Sequence, residues 1–77
     1  MMLKEVTLYN TEGNSDKVYT ITILPAPKNE FTVVCHNGRR GGKMTEQVKT
    51  PIPVSLDAAV ALYESILEKK LAKGYHT

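Results

Sequence analysis

The sequence predicts an α+β fold: a small antiparallel β-sheet of about four strands, with one long C-terminal α-helix packed on one face. Three observations lead there. Stretches with apolar residues at every second position recur up to Thr50, separated by clusters of Gly, Pro, Asn and Ser. The last third instead repeats its apolar residues at helical spacing. At 77 residues the chain has length for one core and no more, so residues 1–77 are expected to form a single domain.

Residues 3–9 are expected as a first strand, although their alternation is imperfect. A polar loop follows over residues 10–16, where Gly13, Asn14 and Ser15 are turn formers. Residues 17–24 alternate well, and Tyr19, Ile21 and Ile23 make the stronger inward set, with Val18, Thr20, Thr22 and Leu24 opposite. Pro25-Ala26-Pro27-Lys28-Asn29 should end that strand, because proline donates nothing to a ladder and restricts the residue before it. The pattern resumes over residues 31–35 with Phe31, Val33 and Cys35 inward.

Residues 44–50 read as a weaker, more polar strand that suits an edge. Pro51-Ile52-Pro53 then forces an extended connection, and Ile52 is expected to plug one end of the core. Ser55 is a good N-cap for the helix, and Asp57 suits the positive end of its dipole. Leu56, Val60, Tyr63, Leu67 and Leu71 form the expected apolar stripe, widened by Ala59 and Ile66. Lys69, Lys70 and Lys73 crowd the last turns and Gly74 stops them. A helix of about 18 residues is roughly 27 Å long, enough to cross four strands.

Composition narrows the function. One Phe, four Tyr and no Trp leave the core to Val, Ile and Leu, so stability of about 5 kcal/mol is expected. The net charge of +2 is unevenly spread. Residues 1–36 carry three Lys against four acids, or −1, and residues 37–77 carry seven Lys or Arg against four acids, or +3. The lone Cys35 excludes an internal disulfide and reads as a small buried hydrophobe. Its neighbour His36 points to the opposite face of a strand, which makes a poor catalytic pair. With no signal-like stretch and no apolar run near roughly 18 residues, the chain is expected to be cytoplasmic and to avoid membranes.

The most informative segment is Asn37-Gly38-Arg39-Arg40-Gly41-Gly42-Lys43. Glycine lets backbone approach a partner closely, and Arg and Lys supply charge for a phosphate or carboxylate. Such a turn is a binding surface and carries no chemistry of its own. His36 and His76 lie far apart without ligand-spaced partners, and Asp57, Glu64 and Glu68 line a solvated helix face. Phosphate-loop, nucleophile-elbow and paired-carboxylate signatures are absent. No enzymatic activity, metal, cofactor or small-molecule substrate is therefore expected.

Taken in order, these motifs resemble the WGR domain, named for a Trp-Gly-Arg tripeptide. The resemblance rests on Leu8 in an early strand, Asn14-Ser15-Asp16-Lys17-Val18-Tyr19, and Phe31-Thr32-Val33-Val34 running into Asn37-Gly38-Arg39-Arg40-Gly41. Ala58-Ala59, Tyr63, Lys69-Lys70 and Lys73-Gly74-Tyr75 complete it. It implies a small antiparallel sheet with one long helix and no catalysis. In eukaryotic poly(ADP-ribose) polymerases this module helps grip DNA ends and relays that contact to neighbouring domains, and bacterial relatives occur alone or fused. Gly38 and Arg39 match the motif's glycine and arginine, and Gly41 the glycine after it. Asn37 stands where the family has its signature tryptophan.

Two functions fit. In the first, the module binds DNA or RNA through Asn37, Gly38, Arg39, Arg40 and Lys43, extended by Lys69, Lys70 and Lys73 if the helix end lies near the turn. In the second, the turn or the open sheet face docks a protein partner or a second copy, and the cations are solvated or paired with Glu46, Glu64 and Glu68.

Overall fold

The computed structural model describes residues 2–77. Strands β1 (Lys4–Asn10), β2 (Lys17–Ala26), β3 (Glu30–Arg39) and β4 (Met44–Val48) form an antiparallel meander in the order β1-β2-β3-β4. Helix α1 (Leu56–Ala72) packs mainly against β2 and β3. The α+β expectation holds, with β4 at the edge and all five of its residues exposed.

Register decides which residues meet the helix. Leu8 pairs with Tyr19, Ile21 with Cys35 and Ile23 with Val33. Side chains alternate along a strand, so even positions of β1 and odd positions of β2, β3 and β4 look towards α1. The buried core follows from that parity: Leu8, Tyr19, Ile21, Ile23, Val33 and Cys35 from the sheet, closed by Ala59 and Tyr63 from the helix.

Several expectations are corrected. Strand β2 continues through Pro25, which pairs with Phe31. Phe31 exchanges hydrogen bonds with Val54 on the far side of β3. Odd residues of β2 therefore turn their backbone towards β1. Pro25 lies past the last β1 partner, Lys4 opposite Ile23, so its missing N–H costs the ladder nothing. The reversal into β3 uses Lys28 and Asn29 at φ 64° and 58°. Strand β3 in turn runs on to Arg39, so Asn37, Gly38 and Arg39 belong to a strand and the turn is shorter than the glycine pattern suggested.

Ile52 is 78% exposed and plugs nothing. Lys49 and Val54 both hydrogen-bond to β3, and the residues between them bulge out of the sheet. Thr50 is the bulge's inward residue, 6% exposed, and its Oγ1 accepts the Val33 N–H at 3.0 Å. Most of the expected helix stripe, Ala59, Val60, Tyr63, Ile66 and Leu67, packs on the core, but its two ends do not. Ala59, Tyr63, Ile66 and Lys70 face the sheet, whereas Leu56 and Leu71 are 42% and 47% exposed.

Both ends of α1 are capped as the sequence implied. Ser55 Oγ accepts the Ala58 N–H at 3.2 Å. At the other end Gly74 sits at φ +99°, and its N–H donates to Leu71 while the Tyr75 N–H donates to Lys70. That double return is the Schellman arrangement. It throws the chain back over the sheet, where His76 pairs with Tyr9 beside β1.

Candidate nucleic-acid interface

The β3–β4 hairpin places the basic segment. The Gly42 N–H donates to the Arg39 carbonyl at 2.8 Å, and Gly41 takes φ +77° at the third turn position, a conformation that favours glycine. Gly38 is held for a different reason: a Cβ there would lie 2.5 Å from the Lys43 carbonyl oxygen. Parity then separates the two arginines. Asn37 and Arg39 look towards the α1 side of the sheet. Arg40 turns to the other side, where its Nε lies 3.1 Å from Asp16 Oδ1 and its guanidinium 4.8 Å from the Tyr9 ring.

On the α1 side, beyond the end of the helix, Lys17, Asn37, Gly38, Arg39 and Tyr75 line an open pocket of about 350 Å³. Lys17 and Arg39 are register partners across β2 and β3, as are Tyr19 and Asn37. Tyr75 reaches the pocket because the helix cap turns it there, and its ring meets Tyr19 edge-on at 6.1 Å. Lys70, the inward residue of the last helical turn, sets its ammonium 4.3 Å from the Tyr19 ring centroid and 5.6 Å from that of Tyr75.

Burial against these rings lowers the Lys70 pKa below its ordinary value, and the nearby charges of Lys73, Lys49 and Lys17 lower it further. Burial likewise pushes the Tyr19 hydroxyl well above the usual phenol range, so the ring stays neutral under Lys70. Three acidic groups are engaged on the opposite face, while Asp57, Glu64 and Glu68 lie on the helix. Asp16 is taken by Arg40, Glu46 pairs with His36 at 3.0 Å, and Glu5 accepts from Thr22 at 2.8 Å, all on the open face of the sheet. Glu12 lies beside Gly74 at the end of the helix.

A family model for the WGR domain matches residues 4–77. The chain belongs to the WGR domain family. Comparisons with curated proteins and with solved structures found no match.

Within this WGR domain, the structure brings together some of the residues singled out from sequence and parts others. Asn37, Gly38 and Arg39 line one pocket, with Lys70 and Lys73 close by. Arg40 is on the opposite face. Lys43 and Lys69 are exposed, one in the hairpin loop and one on the helix surface. Two further residues, Lys17 and Tyr75, line the site, and Lys49 lies near Lys70. The signal for the two lysines was present, since strand parity puts them on the same side as Tyr19 and Val33. Tyr75 needed the cap geometry. Among the described residues no cluster of His, Cys, Asp and Glu could hold a metal, and no helix is long and apolar enough to cross a membrane.

Proposed function

We propose that this WGR domain is a non-enzymatic module that binds nucleic acid by contacting backbone phosphates on the α1 side of its sheet. One observation carries the reading. Lys17 and Arg39 line a single open pocket, Lys70 sets its ammonium 5.6 Å from that pocket's Tyr75 ring with Lys49 and Lys73 near enough to Lys70 to act on its charge, and among the described residues none of these five forms an ion pair. Three acidic side chains are engaged on the other face. The two faces thus differ in charge, and polyanions are attracted to one of them. The nucleic-acid role of WGR modules in general agrees with this.

Binding of this kind is weak, salt-sensitive and tolerant of sequence, with Kd of about 10⁻⁴–10⁻⁶ M at physiological salt. Fluorescence anisotropy with labelled single-stranded, nicked and blunt DNA and with RNA, at low and moderate salt, tests it. Absence of binding at low salt would refute it.

The free edge supports a second reading, a protein-docking role. The backbone groups of Met44, Glu46 and Val48 point away from β3, and Met44 and Val48 are exposed apolar residues. Light scattering over a concentration series would detect self-association. A dimer formed through that edge should be lost in Val48→Lys and kept in Arg39→Glu.

A further inference from the structure

We infer that the pocket receives one unpaired nucleotide, its base against Tyr75 and its phosphate between Lys17 and Arg39. This rests on the phosphate-binding reading above and adds the class of nucleic acid. The site is a hollow bounded by two cations, an amide and an aromatic ring. Its volume of about 350 Å³ falls at the low end of small-ligand pockets, which span roughly 300–1,000 Å³. A base inside a duplex has both faces covered by its neighbours and cannot offer one to Tyr75. An unstacked base can, and aromatic side chains beside a basic groove are the usual platform for single strands.

Two local features favour this occupant. Tyr75 is held in advance: its N–H is bonded to Lys70, its ring rests edge-on against Tyr19, and His76 is paired with Tyr9. Little freedom remains to be lost when a base meets it. Asn37 is the second. Its amide forms no side-chain hydrogen bond among the described residues and lines the pocket, offering a donor and an acceptor to a base edge. An indole at the same strand position would occupy the space that Asn37 leaves open.

The test compares a thymidine-only deoxyoligonucleotide, a uridine-only ribo-oligonucleotide, a base-free deoxyribose-phosphate oligomer and a blunt duplex, matched in phosphates and salt. At least one of the two base-bearing single strands should bind about tenfold or more tighter than both the base-free oligomer and the duplex. Which of them does so distinguishes DNA from RNA. Tyr75→Leu should remove that advantage and Tyr75→Phe should keep it. In the wild-type protein, the Tyr75 ring protons should shift on titration with the preferred strand, a readout that needs no variant to fold. Equal binding of the base-free and base-bearing strands, or unmoved Tyr75 protons, overturns the inference and leaves phosphate binding standing. No binding by any oligomer overturns both.

Discussion

Replacing Lys17 and Arg39 with glutamine in one variant separates the α1-side pocket from every other cationic group. Both residues line the pocket from strand positions, and Lys17 and Arg39 are exposed, so folding should change by no more than about 0.5 kcal/mol for each. If Lys17, Arg39, Lys49, Lys70 and Lys73 all meet phosphates of a single strand, log K against log salt should fall with a slope of roughly −3.5. Removing two should bring the slope to roughly −2.1. A fourfold rise in salt would then weaken wild-type binding roughly 100-fold and the variant roughly 20-fold. The control is Arg40→Gln with Lys43→Gln, which removes as much charge from the hairpin but none from the pocket. It gives up the exposed Asp16 pair, worth about 0–1 kcal/mol, and should keep the wild-type slope. Anisotropy at several salt concentrations gives the slopes directly. An unchanged slope in the pocket variant, or an equal fall in the control, would refute the assignment of the binding face.

Gly38→Ala should destabilise the hairpin by about 1–3 kcal/mol, because its Cβ would meet the Lys43 carbonyl at 2.5 Å and the backbone would have to move. Thermal melting should show a drop of several degrees, roughly 4–8 °C per kcal/mol. Thr50→Val leaves the buried Val33 N–H without its acceptor and should cost about 1–3 kcal/mol in a urea titration. The lowered pKa of Lys70 makes nucleic-acid affinity fall as pH rises, starting below the ordinary lysine value of 10.5, since the charge that meets phosphate is lost early. Lys70→Arg keeps its charge and should abolish that early fall in an anisotropy series across alkaline pH. The raised Tyr19 pKa makes the folded domain lose stability as pH climbs past the ordinary phenol value of 10.0, so the series should stop below that value and circular dichroism should show the domain still folded throughout.

The fold was legible wherever one local signal dominated. Tyr19, Ile21 and Ile23 announced β2 and its inward face, and Ser55 and Gly74 marked the helix ends. Errors arose where tertiary context outranked a local rule. Pro25 sits inside a strand because β1 has already ended beside it. Ile52 is exposed because it lies in the excursion between Lys49 and Val54, the two residues that bond back to β3. The middle of the helix stripe, Ala59, Val60, Tyr63, Ile66 and Leu67, packs on the core as its spacing implied, and only the end residues Leu56 and Leu71 stay exposed.

The site was legible as composition and not as geometry. Asn37 to Lys43 read as one basic turn, yet β3 passes through its first half and alternation sends Arg39 and Arg40 to opposite sides. Lys17 and Lys49 were not singled out for the site, yet register pairs Lys17 with Arg39, and Lys49 lies near enough to Lys70 to lower its pKa. Charge counted along a chain therefore has to be resolved by parity before it becomes a surface.

Lys70 shows what that surface costs the fold. It occupies an inward helix position, four residues after Ile66 and above two tyrosines, where an apolar side chain would pack without penalty. Its stem can cover the rings, but its ammonium is partly desolvated and faces three other positive groups. The attraction to two π-faces offsets part of this. In the free protein the position should then be a net liability, relieved when an anion arrives. Lys70→Met keeps length and apolar contact and removes the charge. It should raise the melting temperature of the free domain, by roughly 4–8 °C if the relief is about 1 kcal/mol, while lowering affinity for polyanions. Added oligonucleotide should stabilise the wild type more than the variant. A variant that loses stability without ligand would show that Lys70 is a structural clamp on Tyr19 and Tyr75, and the case for a charge held ready for phosphate would fail at its centre.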